Sequence, residues 1–265
     1  MDASCRLEVG GITLNYRLEG AGARPLVCVH GVGSYLEAWN GVAAELARDF
    51  RILRFDLRGH GRSARLKGRY EIEDLVRELL ALADHAGFAE FDLAGFSLGG
   101  LIAQSTALAH PRRVRRLVLL GTVAGRNDEE RARVQERLAA LRRGEPGSHF
   151  DASVGRWLTE AFRRANPDHM RELRARNAQN DPACYAAAYR VLAETDLGEE
   201  LSRIGCPTLI VTGAEDQGSN PRMARFMHER IGGSRLEILP DLRHAILAEA
   251  PLIVAALMRD FLLES

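Results

Sequence analysis

The chain has 265 residues, 46% hydrophobic and 27% charged, with 36 basic side chains set against 36 acidic ones. That balance excludes a global field drawing nucleic acid or an anionic membrane, and the length accommodates one large α/β domain, or a core domain carrying an insertion. Cys5, Cys28, Cys184 and Cys206 form no CxxC pair, no apolar stretch is long enough to span a bilayer, and no apolar leader core follows Met1. The expectations are free thiols, no metal or cofactor, no membrane or nucleic-acid partner, and a cytoplasmic location.

Residues 6–9 and 12–16 alternate with a period of two across Gly10-Gly11, which predicts a two-residue hairpin. Residues 25–29 form an apolar run suited to a strand buried on both faces, leading into His30-Gly31-Val32-Gly33-Ser34. A helix is predicted from about Glu37 to Arg48, with Trp39, Val42, Ala43 and Leu46 on one stripe. Residues 51–55 predict the next strand, which ends at Asp56-Leu57-Arg58-Gly59-His60-Gly61-Arg62-Ser63. After Tyr70 the spacing of Leu75, Leu79, Leu82 and Ala83 predicts a helix.

Phe91, Leu93 and Ala94 then form a short apolar run ending in Gly95-Phe96-Ser97-Leu98-Gly99-Gly100. A helical pattern follows at once through Leu101, Ile102, Ala103 and Ala107. Strand, sharp turn and helix around a serine flanked by glycines is the setting of a nucleophile held on a strained turn. A strand at 114–120 follows. From about residue 125 to 200 the pattern is helical with no strand signal, over 131–141, 154–164, 168–176 and 182–192. Strand and helix alternation resumes at 206–213, with a helix at about 221–231, a strand at 235–239 and a last helix to about Leu263.

Such alternation implies a mostly parallel central sheet flanked by helices. The helical stretch inserted after the strand at 114–121 is expected to roof the carboxyl ends of the strands, where ligands of open α/β sheets bind. The expected division is a core of residues 1–124 and 201–265 with a helical cap of 125–200.

A serine needs an imidazole to take its proton and a carboxylate to fix the imidazole's tautomer. Asp216 follows one late strand and His244 follows the other, with Glu215 as an alternative acid. Of the 8 histidines, His244 alone follows the last strand and precedes the last helix. The peptide N–H groups of Leu98 and Val32 are the expected donors to a developing oxyanion. A rival dinucleotide-fold reading of Gly31-x-Gly33 with Asp56 fails at the third glycine, where Leu36 stands.

The chain as a whole resembles the α/β-hydrolase superfamily. The resemblance is carried by the loop at His30, the Asp56–Ser63 turn, the Gly95–Gly100 turn, and His244 followed by Glu249-Ala250-Pro251. It implies an α/β-hydrolase fold, with Ser97, Asp216 and His244 as catalytic residues and Val32 and Leu98 as the oxyanion hole. Within the superfamily the chain is most similar to the β-ketoadipate enol-lactonase group. The similar pieces are residues 51–56, Arg156-Trp157-Leu158-Thr159 and residues 180–187. Departures are His30-Gly31, where that group tends to have Asn-Ser, and Arg126-Asn127-Asp128 where it tends to carry an aromatic.

The expected reaction is hydrolysis of a small carboxylic ester or (enol-)lactone through an acyl-enzyme, by a monomer or homodimer. The alternatives are a carbon–carbon bond hydrolase, a perhydrolase or acyltransferase with the same three residues, or a ligand receptor without turnover. His30, Gly31, Trp157, Phe162, Tyr185 and Tyr189 are the candidate pocket residues. Arg126, Arg163 and Arg164 are candidates to pair with a substrate carboxylate.

Overall fold

The computed structural model describes residues 4–143 and 148–264. Its strands are β1 (Cys5–Val9), β2 (Ile12–Glu19), β3 (Arg24–Val29), β4 (Phe50–Phe55), β5 (Phe91–Phe96), β6 (Val114–Leu120), β7 (Thr208–Gly213) and β8 (Arg235–Leu239). They form one sheet in the order β1-β2-β4-β3-β5-β6-β7-β8. β2 runs antiparallel to both β1 and β4, and every other pair is parallel. The predicted hairpin closes with Val9 opposite Ile12.

Between strands lie α1 (Asn40–Leu46), α2 (Ile72–His85) and α3 (Leu98–Ala109), and after β7 come α9 (Pro221–Arg230), α10 (Ile246–Glu249) and α11 (Pro251–Leu263). The helix expected from Glu37 is a 3-10 turn over Leu36–Trp39 followed by α1. The expected last helix breaks at Ala250, because Pro251 has no N–H to continue α10.

Helices cover both faces, so strand residues of both parities are buried. Val27 and Val29 of β3 pack into the core shared with Leu79, Leu101 and Met227. Leu26 and Cys28 pack into the opposite core with Trp39, Leu46 and Met258. Each such side chain, fully buried, contributes roughly 1.5–3 kcal/mol relative to exposure.

The chain leaves β3 toward β4 on one side and returns to β5 on the other. This is a topological switch point, and the loops after β3 and β5 meet at its carboxyl edge. Above that edge sits the inserted segment: α4 (Asp128–Arg143), α5 (Ser148–Trp157), α6 (Glu160–Ala165), α7 (Pro167–Asn177) and α8 (Pro182–Glu194). Asp181 caps α8, its Oδ1 accepting from the N–H groups of Ala183 and Cys184. Both ends of the insertion meet at Asp196, whose Oδ1 accepts from Gly125 N–H at 2.8 Å and Gly198 N–H at 3.1 Å. No helix among the described residues is long and apolar enough to cross a membrane.

Candidate active site

Ser97 joins β5 to α3 at φ +55° and ψ −116°. A residue with a Cβ held there costs about 1–3 kcal/mol and persists only where its surroundings fix it. Here its N–H donates to Leu120 O at 2.9 Å, and its carbonyl accepts from Thr122 Oγ1 at 2.8 Å. Crowding explains the glycines. A Cβ on Gly99 would overlap the Val29 carbonyl, and one on Gly31 would stand 2.9 Å from Ser97 Cβ.

His244 lies in the loop between β8 and α10, and its Nδ1 is 2.6 Å from Asp216 Oδ2 in the loop after β7. The other carboxylate oxygen accepts from the N–H groups of Gly218 and Ser219 at 2.8 and 3.0 Å. Burial pushes the Asp216 carboxyl up. The His244 charge and hydrogen bond, with those two N–H groups, outweigh it and hold the acid below its ordinary value. An ionised Asp216 keeps the proton on Nδ1, which leaves Nε2 as the basic nitrogen. The expected alternative acid, Glu215, pairs instead with Arg243 Nε at 3.3 Å.

Ser97, His244 and Asp216 line one cavity of about 970 Å³ beneath the insertion, together with Val32, Trp157 and Tyr185. Among the described residues no hydrogen bond joins the Ser97 hydroxyl to the imidazole. Such bonds often tighten only in the complex with substrate. Leu98 is the first residue of α3, so its N–H is an unpaired donor by position.

The loop bearing Val32 is pinned by two buried imidazoles. His30 Nδ1 donates to Gly31 O at 2.8 Å while Nε2 accepts from Leu57 N–H at 3.0 Å. His60 Nδ1 donates to Arg58 O while Nε2 accepts from Gly33 N–H, both at 3.0 Å. Burial lowers His30 to about 4, and burial together with the neighbouring His30 lowers His60 to about 4. Asp56 is equally committed, accepting from Leu36 N–H at 2.8 Å, Asn15 Nδ2 at 2.8 Å and Arg62 N–H at 2.9 Å. Its carboxylate is therefore closed to a ribose.

Of the candidate pocket residues, Gly31, Trp157, Tyr185 and Tyr189 line the cavity. Two candidates do not. His30 is 0% exposed and both its ring nitrogens serve the backbone, so it lies beneath the pocket and outside its lining. Phe162 is displaced because the helix expected over 154–164 breaks at Thr159, which caps a new helix by accepting Phe162 N–H at 3.2 Å. That turn sends Phe162 edge-on to His169, with ring centroids 5.6 Å apart.

Arg163 and Arg164 also stand outside the lining. Arg126 lines the cavity, but its guanidinium donates to Leu192 O at 2.7 Å and Thr195 O at 3.3 Å. Arg137 and Arg156, not singled out from the sequence, line the same space. Arg137 stands beside Tyr189, and its Nη1 is 3.9 Å from where a Cβ on Gly218 would be. Burial and then the Arg137 charge lower Arg156. Nothing in the arginine-rich pattern of α4 marks Arg137 from its neighbours.

The family described as alpha/beta hydrolase fold matches residues 24–251. The chain is 30% identical over 234 residues to 3-oxoadipate enol-lactonase 2 of Acinetobacter baylyi, covering 88% of this chain and 87% of that protein. It is 29% identical to (E)-2-((N-methylformamido)methylene)succinate hydrolase of the same organism, with 94% of each covered. The enol-lactonase structure from Burkholderia xenovorans superposes with a TM-score of 0.92 at 30% identity, covering 98% of this chain and 100% of that one.

Proposed function

Since the chain belongs to the alpha/beta hydrolase fold family, we propose that it is a serine hydrolase cleaving a small carboxylic ester or enol-lactone through an acyl-enzyme. One observation carries the reading: a histidine bonded through Nδ1 to a buried carboxylate shares a cavity with a serine held on a strained turn.

In the proposed course, His244 Nε2 takes the Ser97 proton as Oγ bonds to the substrate carbonyl carbon. The carbonyl π electrons move onto oxygen, where Val32 and Leu98 N–H groups hold the charge. The tetrahedral species expels the alkoxide or enolate, which receives the proton from His244. Water then attacks the acyl-enzyme by the same route, releasing the acid and restoring Ser97. Residues 1–124 and 201–265 supply this chemistry, and residues 125–200 supply the cavity's roof and its selectivity.

The substrate class is supported by the relatives, two of which carry enol-lactonase in their names, and by the lining itself. Trp157, Tyr185 and Tyr189 offer apolar surface, and Arg137 offers a cation toward a carboxylate on the substrate. The test is labelling with a fluorophosphonate and turnover of p-nitrophenyl acetate. Wild type is labelled at Ser97 and turns the ester over, while Ser97→Ala does neither. An unlabelled wild type that binds esters without cleaving them would make this a receptor. Product analysis with an enol-lactone and a vinylogous diketone separates ester from carbon–carbon cleavage.

A further inference from the structure

The loop that carries His244 is tied to the insertion on both sides of the imidazole. One residue before it, Arg243 donates through Nη1 to Gly155 O and, at 3.4 Å, to Leu158 O. One residue after it, Ala245 N–H donates to Trp157 O at 2.8 Å. Five residues after it, Glu249 accepts from Thr159 twice: N–H to Oε1 at 2.9 Å and Oγ1 to Oε2 at 2.5 Å. Every partner belongs to the corner formed by the end of α5 and the turn into α6, residues 155–159. That corner also supplies Trp157 and Leu158 to the cavity lining. The imidazole also packs against Phe96, with ring centroids 4.9 Å apart.

We propose that Glu249 is a positioning residue for the base: by fastening the 155–159 corner to α10 it sets the orientation in which His244 presents Nε2 to Ser97. The insertion is then part of the catalytic frame as well as a roof. Substrate packing against Trp157 bears on the base through the Ala245 bond. The physical ground is the steep cost of misplacement, about 10²-fold in rate for roughly 1 Å. A side chain tethered only through Asp216 could still swing about that single bond, and the ties at 243, 245 and 249 remove the freedom of the backbone beneath it.

The proposal rests on the serine-hydrolase reading and concerns how its base is held. The experiment compares Glu249→Ala, Glu249→Gln, Thr159→Ala and the double variant Glu249→Ala/Thr159→Ala, all titrated with a fluorophosphonate. Glu249→Ala is expected to lower kcat on p-nitrophenyl acetate by on the order of 10²-fold with KM within about twofold. Glu249→Gln keeps an oxygen for Thr159 N–H and recovers most of the rate. The double variant is no slower than Glu249→Ala alone, because that change already removes both bonds to Thr159 and Thr159→Ala removes only the hydroxyl's.

In parallel, the downfield proton resonance of the His244 Nδ1–H to Asp216 bond is followed in wild type and variants. It shifts or broadens in Glu249→Ala. Unchanged kcat per labelled site and an unchanged resonance, with only a lower unfolding temperature, would overturn the proposal. If Glu249→Ala fails to fold, Thr159→Ala, which cuts the hydroxyl bond and keeps the N–H bond, moves kcat and the resonance in the same direction by less, and no movement of either overturns the proposal. If wild type turns nothing over, the functional reading fails by itself, and the resonance still decides whether Glu249 holds the imidazole.

Discussion

His60 Nε2 accepts the N–H of Gly33 at 3.0 Å, so a ring from the loop after β4 holds the loop after β3 that bears Val32. The ring can do this only while neutral, since a protonated imidazole has no acceptor. His30 stands in the same position toward Leu57.

Stability should therefore fall in mild acid. The unfolded rings take up protons from about pH 6.5 downward, whereas the folded rings, both lowered to about 4, refuse them until then. The unfolded state binds more protons throughout that window, so each ring removes on the order of 3 kcal/mol as the pH drops across it. Urea unfolding midpoints at pH 7.5 and 5 check this. Imidazole resonances of His30 and His60 that titrate near pH 6.5 in the folded protein would contradict it.

Ser97→Gly should make the protein inactive and more stable. Glycine relieves the positive φ, and after its larger chain entropy the gain is about 1 kcal/mol, or roughly 2–4 °C in Tm. Ser97→Ala keeps a Cβ in the left-handed region and should show no such gain. Thermal unfolding of the two variants side by side settles the point, and equal midpoints would mean the turn stores no strain.

Asp216→Asn should lower kcat by on the order of 10⁴-fold with the cavity intact, because an amide donating to Nδ1 moves the imidazole proton onto Nε2. The same variant should flatten the acid limb of stability. The Asp216 carboxyl is held below its ordinary value, so its contribution is present at neutral pH and lost as the pH falls through the folded value. Steady-state kinetics and acid unfolding of the pair report both effects. A loss under tenfold would assign the acid's role elsewhere.

Arg137→Gln should discriminate between substrates. For an ester bearing a carboxylate, KM should rise by about tenfold, near 1.4 kcal/mol, while a neutral ester of the same length is unaffected. An equal effect on both esters would mean that Arg137 only packs against Tyr189.

The placement of Ser97, Asp216 and His244 was legible because each lies in the loop or turn that follows a strand, and strand ends of a parallel sheet converge. The structure brings Asp216 and His244 within hydrogen-bond distance and puts Ser97 in the same cavity. What escaped was long-range polar bonding. The glycine-flanked loop of His30 reads locally as an open pocket lip, and only the Leu57 N–H, 27 positions away, shows it to be an anchor. Phe162 was misplaced for a related reason. Thr159 sits inside an unbroken helical pattern, and its part as a cap becomes visible only with the Glu249 carboxylate 90 residues on.

Asp196 gives the molecule one more property. Gly125 at the entrance of the inserted helices and Gly198 at their exit share a single carboxylate oxygen, and Arg126 N–H and Arg131 Nη1 join its second oxygen at 3.1 Å each. A segment whose two ends are buttoned together can be exchanged for another of different length without rethreading the strands below. Recombination and grafting between homologues should find that junction the least disruptive seam in the chain.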